Sequence, residues 1–356
     1  MTTPRPKPAP TRARRTTIYD LAVLVGASPT AVSAVLNGTW KKRRISASLA
    51  ERITRTAEEQ GYALNLQASG LRREKSRLIG MIVPKYDNRY FGSIVERFEA
   101  MARARELFPI ITCTMRDPAL EIQAAREMIS HQVDCLIATG ATDPDRITAI
   151  CEAAGVRSLN LDLPGSRAPS VISDNFGGAL ALTRRILAAS ASQRHRGEPI
   201  PFIGGRASDH NTSERIRGFR AAHEEAGIIV DETMILATGY APDRAITALE
   251  VLAKRRGQLP RAIFVNSTIA LEGVLHWTRS SGHFGSVAPH VGCFDWDPLA
   301  AVLTENIVMV QQDVPAMLEA LFRLIDADDP APGLSEIPTH FAPQPFAGTA
   351  ATAGAD

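Results

Sequence analysis

Several polar and aromatic side chains in this 356-residue chain fall at one kind of place: just after short runs of β-type residues. Tyr90 and Phe91 follow the run Leu78–Val83, within Asp87-Asn88-Arg89-Tyr90-Phe91. Asp162 follows Ser158–Leu161, and Asp174-Asn175 follows Val171–Ser173. Asn266 follows Ala262–Val265, and Asp295-Trp296 follows Val291–Phe294. Arg215 opens an Arg-x-x-Gly-Phe stretch. Carboxylates accept hydroxyl protons, Arg and Asn donate, and an aromatic face packs on the C–H side of a sugar ring. These types together suit a polyhydroxylated ligand. Singly, each has a plainer role as a helix cap, a surface ion pair or a core side chain. Their shared position after successive strands favours a common site.

Enzymatic chemistry has no such support. The sequence lacks H-E-x-x-H, G-x-G-x-x-G, a Walker motif and a G-x-S-x-G elbow. Its eight histidines show no metal-ligand spacing. Asp295 and Asp297 form a carboxylate pair, but Asp-Trp-Asp-Pro reads as a turn. No catalytic residue, cofactor or metal is expected.

The elements that must carry these residues alternate. Further β-rich runs are Pro109–Thr114, Asp134–Thr139, Pro201–Ile203, Met234–Leu236 and Val308–Val310. Helical patterns lie between the runs, at Phe91–Glu106, Ala119–His131, Gly177–Ala189, Ser213–Ala226, Pro242–Arg256, Thr268–Ser280 and Val314–Ala327. Strand–helix alternation implies parallel sheets with helices on both faces. About ten strands is many for one open sheet, so two similar lobes are expected. A ligand would lie at the carboxyl ends of their strands.

Ahead of this body the charge changes sign. Residues 1–77 hold 15 Lys or Arg against 5 acids, or +10, and the remainder is −8. A basic module on an acidic body suggests a polyanion-binding head. Thr17 is placed to cap a helix over Ile18–Val25, which Gly26 ends. Ser28 caps a second, with Pro29 at its first position, running to about Leu36 before Asn37-Gly38. A third should run from Ala47 to Gln60 after Ser46. Two short helices joined through Gly with a packing third make a helix-turn-helix. Its second helix would enter the DNA major groove with Pro29, Thr30 and Ala31, then Ser33 and Ala34. The Ser28 and Ser33 hydroxyls suit phosphate oxygens, and the loop Lys41–Arg44 adds charge beside them.

The residues before Thr17 are rich in Pro and Arg and lack the apolar stretch of a secretory signal. No apolar run approaches the ~18–20 residues of a membrane-spanning helix. The four cysteines are scattered. A cytoplasmic protein with no membrane partner is the expectation.

The runs Thr17-Ile-Tyr-Asp-Leu-Ala, Gly26-Ala-Ser-Pro-Thr-Ala-Val-Ser and Val35-Leu-Asn-Gly38 resemble the DNA-binding head of the lactose-repressor family. Ile45-Ser46 and Gly61-Tyr62-Ala-Leu-Asn65 continue its pattern. Ala68-Ser-Gly-Leu71-Arg72 is similar to its hinge helix, in which a leucine wedges into the minor groove, so Leu71 is expected to bend DNA. The resemblance implies DNA contacts from Thr17, Tyr19, Ser28, Pro29, Thr30, Ala31, Ser33, Ala34, Asn37, Lys41, Arg43, Asn65, Ala68 and Leu71. Many members carry Arg or Tyr at the place of Ala34, so base readout from that turn is expected to be weaker or shifted here.

In the body, Asn88–Phe91, Asp174–Gly178, Arg215–Phe219 and Gly292-Cys-Phe-Asp295 are similar to the family's effector-domain motifs. By position the resemblance implies effector contacts from Tyr90, Phe91, Asp162, Arg215, Tyr240, Asn266, Asp295 and Gln312. The usual Asn-Asp pair is Asn266-Ser267 here. Within the family, the basic loop, Ser69–Arg72 and Ile269–Gly273 resemble fructose repressors of the catabolite repressor-activator type. That subgroup implies a phosphorylated fructose, with Arg89, Arg116 and Arg206 as candidate phosphate cations.

The expected protein has a disordered basic tail (1–16), an all-α helix-turn-helix head (17–64) and a hinge helix with linker (65–77). A two-lobed α/β body of periplasmic-binding-protein type (78–346) and a disordered tail (347–356) complete it. It would be a homodimeric repressor on double-stranded operator DNA, controlled by a sugar or sugar phosphate between the lobes. A sugar-binding protein without a transcriptional role shares the body but not the basic head, and an enzyme on the same fold is a third reading.

Overall fold

The computed structural model describes residues 16–62, 76–195, 197–257, 260–280, 288–303, 306–328 and 330–342. The chain divides into two compact units, Met1–Ser76 and Arg77–Asp356. All of the expected basic tail but Thr16, nearly all of the hinge, and the C-terminal tail lie outside the described residues, and so do Asn65, Ala68 and Leu71.

The first unit holds helices α1 (Ile18–Val25), α2 (Pro29–Leu36) and α3 (Ala47–Glu59). Local chemistry sets each boundary. Thr17 and Asp20 form a reciprocal capping box at the start of α1, and Gly26 closes that helix in the left-handed conformation. Ser28 Oγ accepts from Ala31 N at 3.1 Å, with Pro29 at the first position of α2. The chain bends by 105° between α1 and α2, the turn of a helix-turn-helix. Leu21, Val25, Val32, Val35 and Ile53 bury one small core.

The second unit is two parallel-sheet lobes. One sheet has strand order β13-β5-β4-β3-β1-β2, comprising β1 (Leu78–Val83), β2 (Phe108–Cys113), β3 (Cys135–Thr139), β4 (Arg157–Leu161), β5 (Ser170–Ser173) and β13 (Leu334–Ile337). Residues along β1 alternate between two cores. Ile79, Met81 and Val83 pack on α4 (Arg89–Ala104) and α12 (Val314–Asp326). Ile82 packs with α5 (Pro118–Ser130) and α6 (Pro144–Ala153). This is the two-residue period of a strand buried on both faces.

The other sheet has order β14-β12-β11-β10-β6-β8, from β6 (Phe202–Ile203), β8 (Ile235–Leu236), β10 (Ala262–Val265), β11 (His290–Phe294), β12 (Ile307–Gln311) and β14 (His340–Phe341). All pairs are parallel except β14 with β12. One face packs on α7 (Asn175–Ala189) and α8 (His210–Glu225), where Phe202, Phe219 and Phe264 meet at 4.9–5.5 Å between ring centroids. The other face packs on α9 (Pro242–Arg256) and α10 (Thr268–Ser280). The short ribbon β7 (Gly205–Arg206) and β9 (Thr238–Gly239) and helix α11 (Pro298–Leu303) complete the unit.

The ten expected strands are present, with ends shifted by a residue or two. The two-residue β7, β9 and β14, the half-exposed β13, and helices α6 and α11 are additions to the sequence reading. Elements this short show no period, although Asp143-Pro144 is a cap signal for α6. The chain crosses between lobes three times, after β5, after β12 and between β13 and β14. The first two crossings carry Ser173–Asn175 and Gln312 into the space between the lobes.

Candidate functional site

A narrow cleft lies between the lobes, and Tyr90, Phe91, Asp162, Arg215, Tyr240, Asp295 and Gln312 all line it. Each arrives by a local device. Asn88 caps α4, its Oδ1 accepting from Tyr90 N at 2.9 Å and Phe91 N at 3.3 Å, which puts both rings on the first helical turn. Asp162 and Asp295 follow β4 and β11 in the left-handed region, with φ of 72° and 82°. Arg215 stands in the second turn of α8, inside the helical pattern expected over Ser213–Ala226 rather than directly after a strand.

The polar groups form a directed chain across the lobes. Arg215 Nε donates to Asn175 Oδ1 at 2.8 Å. Asn175 Nδ2 donates to Asn211 Oδ1 at 3.1 Å. Asn211 Nδ2 donates to the Asp162 carbonyl at 3.0 Å and to its Oδ1 at 3.3 Å. Tyr90 Oη, from the facing helix, donates to the same Oδ1 at 3.0 Å. The amide orientations follow from this network. A second chain runs from Ser173 Oγ to Gln312 Oε1 at 2.6 Å, and from Gln312 Nε2 to Asp295 Oδ1. Tyr240 Oη meets Thr212 Oγ1 at 3.1 Å.

Burial dominates the electrostatics. It raises the Asp162 pKa against the pull of Arg116 and Arg215, and raises Asp295 against Arg215 and the Gln312 hydrogen bond. Burial and the neighbouring Asp162 charge push the Tyr90 hydroxyl well above its ordinary value, so it stays a donor. Arg215 is held on three sides: by Asn175, by the Asn266 carbonyl at 2.6 Å, and by the Phe294 ring 3.6 Å from its Cζ. The interposed Cys293 is a fully buried thiol packed between α10 and β12, its pKa pushed far up by burial.

Asn266 departs from expectation. It is fully buried, its side chain does not line the cleft, and neither amide atom has a partner among the described residues. Its backbone N continues the ladder to Ile203 O at 2.9 Å, which turns the side chain toward Gly205 and Thr212. The next residue, Ser267, lines the cleft instead. Asn211, which also lines the cleft, is an addition to the sequence reading. Its four-residue spacing from Arg215 on α8, which sets both on one helix face, was the signal available. Of the three arginines considered for phosphate, only Arg116 lines the cleft; Arg89 pairs with Asp297 at 3.3 Å. Among the described residues no group of three His, Cys, Asp or Glu could hold a metal ion.

In the head, Tyr19 is 69% exposed, and Ser28, Thr30, Lys41 and Arg43 are exposed as well. Pro29, Ala31 and Ser33 are half-buried, and Asn37 Nδ2 donates to Ser33 O and Oγ at 2.8 and 3.2 Å. Thr17 is held in its capping box. Ala34 is a correction: it is 4% exposed, with the Thr39 backbone N and Oγ1 folded back onto its carbonyl at 2.9 and 3.2 Å, so it offers little surface to a base edge.

A model of the periplasmic binding protein domain family matches residues 79–327. The ribitol operon repressor of Klebsiella aerogenes is 59% identical over 242 residues, 68% of this chain and 85% of that protein. The sucrose operon repressor of Klebsiella pneumoniae is 29% identical over 326 residues, 90% and 96% of the two chains. The fructose operon regulatory protein of Vibrio cholerae is 28% identical over 264 residues, 73% and 78%. Among solved structures, the lac repressor dimer bound to operator and the anti-inducer ONPF superimposes with a TM-score of 0.73 at 19% identity, covering 93% of this chain and 98% of that one. A three-helix head with a two-lobed, cleft-bearing α/β body defines a ligand-responsive regulator, and the chain belongs to the lactose-repressor family of transcriptional regulators. It is a transcriptional repressor and not an enzyme.

Proposed function

We propose that the chain is a homodimeric repressor that binds operator DNA through its head and takes a small, uncharged polyol or sugar between its lobes. The observation that carries this reading is the cleft itself. Two carboxylates and two guanidinium groups line it, Asp162, Asp295, Arg116 and Arg215, so its charges balance before a ligand enters. Such a site suits a neutral polyhydroxylated molecule better than a phosphate dianion. The 59% identity to a ribitol operon repressor supports a five-carbon polyol or a sugar derived from it. The phosphorylated fructose expected from the subgroup motifs has weaker support, a fructose operon regulator at 28% identity.

In this reading Asp162 and Asp295 accept from ligand hydroxyls, Arg215 holds the floor of the site, and Tyr90, Phe91, Tyr240 and Gln312 shape its walls. Asn266 acts only through its carbonyl, which fixes Arg215. On the DNA side, Tyr19, Ser28, Thr30, Lys41 and Arg43 are the exposed contacts, while Thr17, Pro29, Ala31, Ser33 and Asn37 support them. The Ser28 hydroxyl caps α2 with its lone pair and keeps its proton to donate to a phosphate. Asn65, Ala68 and Leu71 are proposed as hinge contacts, with Leu71 as the minor-groove wedge. Ligand control requires that ligand and DNA prefer different lobe arrangements. A thermal-shift screen of four- to six-carbon polyols, sugars and their phosphates tests the reading. A saturable rise in melting temperature with an uncharged member supports it, and a response confined to phosphates overturns the neutral-ligand assignment.

A further inference from the structure

Arg116 belongs to the loop between β2 and α5, where it and Met115 are consecutive residues in the left-handed region, with φ of 56° and 52°. Such a conformation is costly for residues other than Gly and persists where the surroundings hold it. Here the guanidinium lies against two ring faces, 4.8 Å from the Tyr240 centroid and 5.8 Å from that of Phe91. Phe91 is on the same lobe as Arg116, and Tyr240 follows β9 on the other. Stacking fixes the plane of a guanidinium and leaves its in-plane N–H donors available.

Those donors have no hydrogen-bond or ion-pair partner among the described residues, although Arg116 lines the cleft. Arg215 differs, its Nε and Nη1 being committed to Asn175 and Asn266. The Asp162 carboxylate lines the same cleft, and Arg116 is the foremost charge pulling its pKa down against burial. No ion pair within 4.0 Å joins the two, so opposite charges face one another across a gap. A hydroxyl is the neutral group that satisfies both sides at once, donating to the carboxylate and accepting from the guanidinium. Adjacent hydroxyls of a polyol also match the fork of a guanidinium. A phosphate offers only acceptors, and would gain at Arg116 what it loses beside Asp162 and Asp295.

We propose that Arg116 is a specificity-determining residue of the cleft, and that with Asp162 it brackets a ligand hydroxyl and so selects an uncharged polyol over its phosphate ester. The proposal rests on the ligand-binding role proposed above for the cleft. Arg116 is not among the eight effector contacts expected by position, and the role given it here is the reverse of the phosphate-binding one expected from the subgroup.

Isothermal titration of the full-length chain with ribitol, other four- to six-carbon polyols and their phosphate esters tests it. Wild type is expected to bind one of the polyols more tightly than its ester. Arg116→Met keeps the stacked bulk and removes the donors, and should weaken that polyol by about ten- to a hundred-fold. Arg116→Lys keeps the charge without the fork and should fall between the two. Asp162→Asn combined with Arg116→Met should be non-additive, because one hydroxyl touches both. Equal polyol affinity for wild type, Arg116→Met and Arg116→Lys would overturn the role of Arg116 while leaving the cleft as the ligand site. Tighter binding of the esters would overturn the selectivity. A wild type that binds nothing in the panel removes the proposed function and this inference together.

Discussion

Asp162 and Asp295 hold equivalent places in the two lobes. Each follows the third strand from its sheet's crossover edge, β4 in β13-β5-β4 and β11 in β14-β12-β11. Each is buried with a positive φ, and each lines the cleft from its own side. A left-handed residue at a strand's carboxyl end turns the chain sharply there. The same turn, made once per lobe, brings two carboxylates to face a single cleft.

Their burial has a consequence for pH. Both folded-state pKa values are raised, so between the unfolded value of about 3.9 and the raised one the native state binds more protons than the unfolded chain. The associated stability is present at low pH and is lost as pH rises through the folded values. A ligand held by ionised carboxylates binds better over the same rise. Asp162→Asn and Asp295→Asn should therefore leave the melting temperature at pH 7.5 unchanged or higher, while weakening ligand by about ten- to a hundred-fold. Calorimetry with differential scanning checks both; a variant that melts much lower yet keeps full affinity would show that the carboxylate is structural.

His223 titrates in the opposite sense. It is fully buried, its Nδ1 meeting Phe219 O at 2.8 Å and its Nε2 accepting from Ile200 N at 3.3 Å. Burial lowers its pKa, against the Phe219 bond and with the help of nearby Arg194. The unfolded chain takes up that proton first as pH falls below about 6.5, so stability falls with it, by at most ~1.4 kcal/mol per pH unit. Denaturant melts at pH 7.5, 6.5 and 5.5 should show this slope in wild type and lose it in His223→Gln. An unchanged slope in the variant assigns it to other groups.

Gly218 sits where α8 crosses α7. A Cβ there would lie 2.3 Å from the Phe176 carbonyl oxygen, so Gly218→Ala must push the helices apart. Overpacking of this kind costs about 1–3 kcal/mol. These two helices carry Asn175, Asn211 and Arg215, so ligand affinity should fall along with stability. A variant that melts lower but binds ligand as wild type does would separate the packing from the site.

Arg215→Ala leaves the Asn175 Oδ1 and Asn266 carbonyl acceptors buried without their donor. Unsatisfied buried groups cost about 1–3 kcal/mol each. The variant should melt lower by thermal denaturation and bind ligand at least tenfold more weakly. Unchanged melting would mean that water replaces the guanidinium.

Much of this was legible in the sequence because caps and periods are local. Thr17, Ser28 and Gly26 mark α1 and α2 to the residue, and the alternating Ile79–Val83 run needs both faces buried. What was hidden depends on register or on distant packing. Asn266 sits one residue from the cleft-lining Ser267, and a period of two sends its side chain elsewhere. Gly218 in Arg-x-x-Gly-Phe serves a helix crossing that only the partner helix defines. Ala34 looks like a small groove-facing residue until the turn after α2 folds back onto its carbonyl through Thr39.

The central claim is that ligand in the cleft controls DNA binding by the head. A duplex selected from a random pool by the full-length chain, then followed by fluorescence anisotropy, tests it most directly. The account predicts enrichment of a near-palindromic sequence bound at about 10⁻⁸–10⁻¹¹ M, with affinity changed at least tenfold by a polyol that calorimetry shows to saturate the protein. No enriched sequence, or an affinity indifferent to that saturating ligand, would contradict it.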